Sequence, residues 1–475
     1  MLVSPTRSVP SKTVVIGAGI SGLTVAYELA SAGHDVVLLD RKRAPGGRIH
    51  TVRSEGFLVE HGPTSMISPA PSSESLIDAL GLAHDRIDRG EHVKRRYLVR
   101  DGRAHALPMD AFGFFSSGFF TLAGRLRLLT EPFVRPLHDD ETVAQFVRRR
   151  FGRELLDYVF DPLVGGLYAG DPERLSLSAL FPQLKRLERA HGSIIRGILA
   201  ERRRGMGSKF DPRYRRLFSF ANGMGTLPDR LMRSLSGRTR FGVRVEAIEP
   251  LRSGGFRLKL REGNSVSSLR ACGVVVALPA YAAAKLLQRL SPEVSYALAG
   301  IEHPPLAVAA LGFKAKDVAH PLDGMGVLTP TVEQRNVLGV LFSSSLFRGR
   351  APEGHVLLTA YVGGARQPEL ARLPRADLER LVVEEARDLL GVRGEAVFSS
   401  VRYWRQGLPQ PDIGHHRRID ALRTLEAEWP GIFVTGNYVS GVSISACIDA
   451  ARATAVRADV RSRTDRTDSN FVATA

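Results

Sequence analysis

Gly17, Gly19 and Gly22 stand in G-x-G-x-x-G spacing, and Asp40 closes the stretch they open, VVIGAGISGLTVAYELASAGHDVVLLD over residues 14–40. Glycines in this pattern suit the binding of a dinucleotide. Gly17 makes the sharp turn, Gly19 lets backbone N–H groups come up against a pyrophosphate, and Gly22 lets a helix pack close to a strand. The N-terminus of that helix, at Ile20, Ser21, Gly22 and Leu23, adds positive partial charge. Asp40 can accept both ribose hydroxyls, and an extra phosphate there would be repelled. A second set follows: RAPGGRIHT over residues 43–51, in which Gly46 and Gly47 permit close backbone approach and Arg48 can meet phosphates, and then FLVEHGPTS over 57–65. The three-glycine motif alone also describes a loop without ligand, and Arg48 alone a solvated arginine. The elements around them favour the nucleotide.

Those elements can be read from periodicity. Val14, Val15 and Ile16 form a short buried strand. Leu23, Ala26, Tyr27 and Ala30 mark one face of a helix that stops at Gly33, and residues 36–39 make the second strand. A polar loop from Pro69 leads into a helix with Ser72 or Ser73 as cap, and Asp101-Gly102 turns a hairpin between residues 96–99 and 104–107. Residues 108–136 hold Phe112, Phe114, Phe115, Phe119 and Phe120, then leucines with Arg125 and Arg127. Phenylalanines beside arginines suit a membrane interface, and equally a core or the cover of a cavity. Helices are expected over 141–150, capped by Asp140, and over 154–160. A Gly- and Pro-rich loop is expected over 162–177, helix over 179–204, and a flexible connection over 205–216. Strands follow at 239–249, 256–260 and 274–278. A second α/β region spans 304–425, a last strand and helix lie at 432–435 and 443–457, and the polar tail after Val460 reads as disordered.

The 475 residues, 44% hydrophobic, allow two or three domains with a sizeable core. Cys272 and Cys447 make no disulfide framework or metal-ligand spacing, which suits a reducing compartment. The first residues contain no apolar signal core, and no run of about eighteen apolar residues predicts a membrane span. A net charge of +17 admits nucleic acid, an anionic membrane surface or an acidic substrate. The basic residues are dispersed and no nucleic-acid-binding pattern is present, so nucleic acid is the weakest of the three.

The glycine motif, the G-G-R segment and residues 57–65 together resemble the flavoprotein family that holds amine oxidases, phytoene desaturases and protoporphyrinogen oxidases. More specifically, residues 13–457 resemble the oxygen-dependent protoporphyrinogen oxidases. The carriers are RYLVRDGRAHALP (96–108), GGLYAGDPERLS (165–176), FPQLKRLERAHGSIIRGIL (181–199), VGGAR (362–366) and GNYVSGVSISAC (436–447). The resemblance implies an α/β fold in three parts. A discontinuous Rossmann-like FAD-binding domain would take residues 12–86, 217–303 and 426–460. A mixed α+β substrate-binding domain would take 87–108 and 304–425, and a helical, membrane-associating subdomain 109–216, with 461–475 as tail.

It also implies six-electron oxidation of protoporphyrinogen IX to protoporphyrin IX. Non-covalent FAD would accept two electrons at N5 in each of three rounds and pass them to dioxygen, giving hydrogen peroxide. No side chain stands out as a catalytic acid or base; His191, His415 and His416 read as structural or exposed. By position, substrate would meet Arg96, as the fork for a propionate, with Gly166, Gly170, Leu328, Leu338 and Tyr361. FAD would meet Gly17, Gly19, Ile20, Ser21, Gly22, Leu23, Asp40, Arg41, Gly46, Gly47, Arg48, Gly62, Pro63, Thr64, Ser65, Val245, Trp404, Gly436, Val442, Ser443 and Ile444. No metal is implied. The implied partners are a porphyrinogen, dioxygen, the cytoplasmic face of the inner membrane as a peripheral contact, a ferrochelatase receiving the product, and a second copy in a homodimer; nucleic acid is not among them. Three departures from the family pattern bear on the site: Asp40 stands for the usual glutamate, Met325 for an aromatic, and Ser445-Ala446 for an Asn-Asp pair. Coproporphyrinogen III oxidation, amine or carotenoid oxidation, and a non-catalytic flavin-binding scaffold remain as alternatives.

Overall fold

Short runs of Val, Ile and Leu that carry apolar side chains on both faces belong in a sheet covered on both sides. In the computed structural model, which describes residues 12–108, 113, 116–203 and 216–473, they form a five-stranded parallel sheet. Its order is Thr239–Phe241, Val36–Asp40, Thr13–Ile16, Gly273–Val276 and Ile432–Val434. Helices Ile20–Ser31, Thr226–Ser234 and Ile444–Ala473 cover one face. The other face carries a three-stranded antiparallel sheet and helices Ala280–Leu287, Pro292–Ala299 and His415–Glu428. The last of these packs here although the sequence boundary at 425 cuts through it.

A second sheet of seven strands runs in the order Phe398–Trp404, Leu306–Lys314, His355–Gly363, Gly339–Phe342, Gly324–Leu328, Arg95–Arg100 and Arg103–Ala106. The hairpin around Asp101 and Gly102, both at positive φ, is therefore an edge of this sheet. Alternation along Arg95–Arg100 sends Tyr97 and Val99 into the core beneath helix Arg375–Leu390, and Leu98 into the core of the helical region. Arg96 lies on the Leu98 side.

The helical region is held by ions as well as by apolar packing. Arg150, fully buried at the end of helix Val143–Arg150, donates to Glu131 at 2.8 Å and to Glu188 at 2.7 and 3.0 Å. Arg149 and Lys185 each bridge Glu188 and Glu141. Burial alone would raise the Glu188 carboxyl; the hydrogen bonds from Arg150, Arg149 and Lys185 outweigh it and hold the group at about 2. Glu188, Lys185 and Ser193 all lie in the FPQLKRLERAHGSIIRGIL stretch (181–199), which thus supplies much of a buried ion network, Ser193 donating to Glu131.

Several local expectations give way. Thr142, with a capping box to Gln145, caps the helix in place of Asp140, whose carboxylate accepts from Ser176. Pro71 at the first helical position starts helix Pro71–Ala79, and Ser72 and Ser73 lie inside it. Residues 162–177 are not all loop: helix Asp161–Tyr168 takes up the first half. The helix expected over 179–204 is broken at Gly192, which takes a left-handed conformation. Phe119 and Phe120 are buried, while Phe112, Phe114 and Phe115 lie outside the described residues, as does nearly all of the expected connection at 205–216. The backbone helix that begins at Ile444 continues to Ala473, replacing the disordered tail; residues 461–473 contain neither Gly nor Pro to stop it. Among the described residues no helix is long and apolar enough to cross a membrane.

Candidate active site

The first glycine turn, the G-G-R segment and the loop at Gly62 meet with almost nothing but backbone between them. Gly46 donates its N–H to the carbonyl of Ala18 at 2.8 Å and bridges Gly19. A Cβ on Gly22 would fall 1.9 Å from the Gly17 carbonyl oxygen, and one on Gly62 1.9 Å from that of Arg48, so neither position admits a side chain. At Gly19, by contrast, a Cβ would meet nothing within 4 Å, so the face of the turn that a pyrophosphate needs is open. Helix Ile20–Ser31 starts there. Ile20 and Ile444 share one core cluster, and the Cys447 thiol, hydrogen-bonded to Ser21 and pushed up to about 11 by burial, packs the first turn of helix Ile444–Ala473 against the same spot. Val442 and Ser443 lead into that turn, and the Ser443 hydroxyl accepts from the N–H of Ala446.

Asp40 sits at the end of its strand. One carboxylate oxygen accepts from the N–H of Ala18 and the other from the N–H of Lys42, each at 2.7 Å, so the shorter aspartate ties the strand end to the glycine turn, and each oxygen keeps a further lone pair with which to accept. Phe241 pairs with Asp40 across the sheet and Gly242 donates to Lys42, which brings Arg41 and the strand carrying Val245 to this end. Pro63, Thr64 and Ser65 follow Gly62 into strand Met66–Ser68, and Gly436 follows strand Ile432–Val434.

Arg48 carries an unforeseen set of partners. Its guanidinium donates to the carbonyls of Gln406 and, at 3.0 Å, Gly407, and it lies over the Trp404 ring at 4.9 Å from the centroid; Arg402 lies over the same ring at 4.9 Å. Burial lowers its pKa against the opposing effect of Tyr281. The Trp404 N–H donates to the His61 carbonyl at 2.7 Å. His61 in turn reaches His50 at 3.1 Å and Ser400 at 2.9 Å, and burial, with His50 and Arg402 nearby, pulls its imidazole down to about 4. Arg402, Tyr281 and His61 were not foreseen as site residues; alternation along strand Phe398–Trp404 places Ser400, Arg402 and Trp404 on one face, but the sequence does not say what that face meets.

Trp404 also belongs to a small apolar cluster with Ala169, Leu306, Leu338 and Tyr361. Gly166 lies against Leu328, where a Cβ would come within 2.6 Å of the leucine methyl, and Gly170 against Leu175 and Gln410. Five of the expected substrate positions thus gather at the junction of the seven-stranded sheet and helix Asp161–Tyr168. Arg96 stands apart at the rim, exposed on the Leu98 side of its strand; Leu98 is the register partner of Leu328. Desolvation and the neighbouring Arg89 lower its pKa, and no acidic partner meets it among the described residues.

A turn with an open backbone face, an acid for hydroxyls and a helix start fits the diphosphate and ribose of FAD. Comparison with known proteins agrees: the model of the flavin containing amine oxidoreductases matches residues 20–458. The chain belongs to that family. It is an FAD-dependent oxidoreductase. It is 31% identical to the mitochondrial protoporphyrinogen oxidase of Nicotiana tabacum, over 92% of each chain. It is 30% identical to the coproporphyrinogen III oxidase of Bacillus subtilis (strain 168), over 93% of this chain and 96% of that one. A solved structure from Exiguobacterium sp. 255-15, provisionally described as a protoporphyrinogen oxidase, shares the fold with a TM-score of 0.80 at 23% identity, covering 96% of this chain and 99% of its own.

Two outcomes follow for this flavoprotein. Gly62→Ala should purify folded but with most of its flavin absorbance at 450 nm lost, because the added methyl must push the Arg48 carbonyl away; a full flavin complement would show that the contact is not needed. Because His61 resists protonation down to about 4 when folded, whereas an unfolded histidine charges near 6.5, stability should fall as pH drops through that interval. This one group should account for about 3 kcal/mol of the fall. Urea unfolding at pH 7 and pH 4.5 should show a smaller loss in His61→Asn than in the parent, and equal losses would assign the acid sensitivity to other groups.

Proposed function

We propose that this flavoprotein removes six electrons from protoporphyrinogen IX, giving protoporphyrin IX. The observation that carries the reading is the apolar junction of Gly166, Leu328, Leu338, Tyr361 and Trp404, whose own side chains carry no acid, with an arginine at its rim that meets no acidic partner among the described residues. FAD, when bound, supplies a two-electron acceptor that dioxygen restores, so three rounds with three dioxygen molecules and three hydrogen peroxide products balance the six electrons.

The chain's own residues supply orientation. Aromatisation of a porphyrinogen drives the reaction, and little localised charge needs stabilising, so a shaped apolar slot is the apt surface. Leu328, Leu338 and Tyr361 would exclude water from the ring. Arg96, at the rim, would fork a propionate carboxylate and fix which edge enters. Arg48, lying over Trp404, would form the wall towards the glycine turn. No histidine is needed as base, and pyrrole protons leave to solvent.

The curated relatives quoted above act on both protoporphyrinogen and coproporphyrinogen III. Arg89 beside Arg96 gives the rim a second positive group, which the two propionates of protoporphyrinogen would use and the four carboxylates of coproporphyrinogen III could use as well. Supplying both substrates in parallel, with porphyrin fluorescence and peroxide as readouts, decides between them. Arg96→Ala should raise KM for the preferred porphyrinogen about tenfold with flavin content unchanged, the loss expected for one charged hydrogen-bonded contact. Equal KM removes Arg96 from the site.

The same reading includes peripheral attachment to the cytoplasmic face of the inner membrane, with the product passing to a ferrochelatase. It no longer rests on the buried Phe119 and Phe120. Helix Leu122–Leu129 exposes Leu122, Leu126 and Leu129 along one face, with Leu122 69% exposed, and Phe133 just beyond it is 83% exposed. An apolar stripe with arginines on the same helix suits an anionic bilayer surface. Replacing Leu126 and Leu129 by serine should reduce co-sedimentation with vesicles containing anionic lipid while leaving turnover in detergent intact, and undiminished co-sedimentation assigns the stripe another use.

A further inference from the structure

Two sequence stretches that lie far apart in the chain, residues 161–170 and 363–366, form one mechanical unit. Helix Asp161–Tyr168 crosses the end of the seven-stranded sheet, and the turn after strand His355–Gly363 grips it at both ends. At the N-terminal end Arg366 donates to the Asp161 carbonyl at 2.6 Å and pairs with its carboxylate at 2.9 Å. The same guanidinium donates to the Thr329 carbonyl at 2.9 Å. At the C-terminal end the N–H of Ala365 donates to the Ala169 carbonyl at 2.8 Å, and Gln410 donates to that of Tyr168 at 2.9 Å. Asp161 also accepts from the Thr331 N–H at 2.7 Å and the Thr331 hydroxyl at 2.9 Å. The side chains of Arg366 and Asp161 are each 10% exposed.

The position of these contacts matters more than their number. Thr329 directly follows Leu328, and Leu328 lies against Gly166, in the middle of the gripped helix. Arg366 therefore ties the helix to the strand end beside the contact that Gly166 makes with Leu328. Gly165 carries no side chain where a Cβ would fall 2.6 Å from the guanidinium, so the helix can lie directly on it. A lysine keeps the charge and loses the planar fork, which alone reaches a carboxylate and two carbonyls together. Tyr361 stands on the strand that leads into the gripping turn, so the opposite wall of the junction is tied to the same point.

We infer that Arg366 is a positioning residue for the substrate site, holding Gly166 and Ala169 in place against Leu328, Leu338 and Tyr361 so that these residues present one fixed apolar wall to a flat macrocycle. This deepens the reading given under the proposed function and rests on it for the substrate. Arg366 touches neither substrate nor flavin in this role; it acts through the helix.

The test uses the purified holoprotein and three variants: Arg366→Lys, Arg366→Ala and the milder Thr331→Val, which removes only the hydroxyl contact to Asp161. Porphyrinogen KM should rise about tenfold in Arg366→Lys, more in Arg366→Ala and about twofold in Thr331→Val, with kcat within about twofold of the parent and the flavin spectrum unchanged. Affinity for the porphyrin product, read by fluorescence quenching without turnover, should fall by the same factors. A KM unchanged in Arg366→Lys and Thr331→Val, or a loss of kcat and flavin together without a separate rise in KM, overturns the inference. Should the Arg366 variants fail to fold, the Thr331→Val values decide alone. Should the parent oxidise no porphyrinogen, the proposed function is what fails. Hydrogen exchange over residues 161–170 then judges the clamp: faster exchange in Arg366→Lys than in the parent supports it, and equal exchange rules it out.

Discussion

The contact on which the rest of the molecule depends is backbone against backbone, where the turn at residues 17–19, the segment at 46–48 and the loop at Gly62 come together without side chains between them. Two carbonyl oxygens, those of Gly17 and Arg48, occupy the space in which the Cβ of Gly22 and of Gly62 would stand. This packing does more than make room for a diphosphate. It fixes where strand Phe57–Glu60 leaves the nucleotide side, and through Arg48 it reaches the carbonyls of Gln406 and Gly407 in the segment after the seven-stranded sheet. The two sheets are thus joined through the cofactor's own loop. A change at the glycines must be felt at Trp404, and a change at Trp404 at the glycines.

Charge is distributed to match. Carboxylates in the helical region are buried and already satisfied: Glu188, Glu141 and Glu131 hold Arg149, Arg150 and Lys185. Asp161 is held by Arg366. At the apolar junction the side chains are Leu328, Leu338, Tyr361 and Trp404, and two cations, Arg48 and Arg402, lie over the indole face. A buried ion pair is a poor device for raw stability, since desolvation offsets most of the attraction, but it is costly to misplace. Such pairs define a geometry better than leucines do. That is the role we assign to Arg366 and, on a larger scale, to Arg150.

How much was legible in the sequence depends on whether the determinant is local. The glycine turn, strand Val36–Asp40 and the Asp101-Gly102 hairpin follow from periods and turn residues within a few positions, and they are where the sequence places them. Helix Asp161–Tyr168 was hidden because Pro162, Gly165 and Gly166 read as loop, and its support comes from Arg366, on a distant strand end. The cap at Thr142 was hidden by the acid two residues earlier. The partners of Arg48 could not be read at all, since the order of strands decides that Trp404 and Gly407 arrive beside it. The substrate positions carried over by family resemblance do gather at one junction, except Arg96, which lies exposed on the Leu98 side of its strand.

The separation of Arg96 from the apolar cluster has a physical reason. An arginine drawn fully into that junction would need a carboxylate partner at all times, and when no substrate is bound the protein would have to supply one. A resident acid would then compete with the incoming propionate. At the rim burial and the repulsion of Arg89 both lower the pKa of the guanidinium, and a carboxylate arriving there would offset both. On the proposed reading, recognition of the acid arms and enclosure of the ring would occupy different places on one face of one sheet. The seven-stranded sheet, by pairing the Arg96 strand with the Leu328 strand, sets the distance between them.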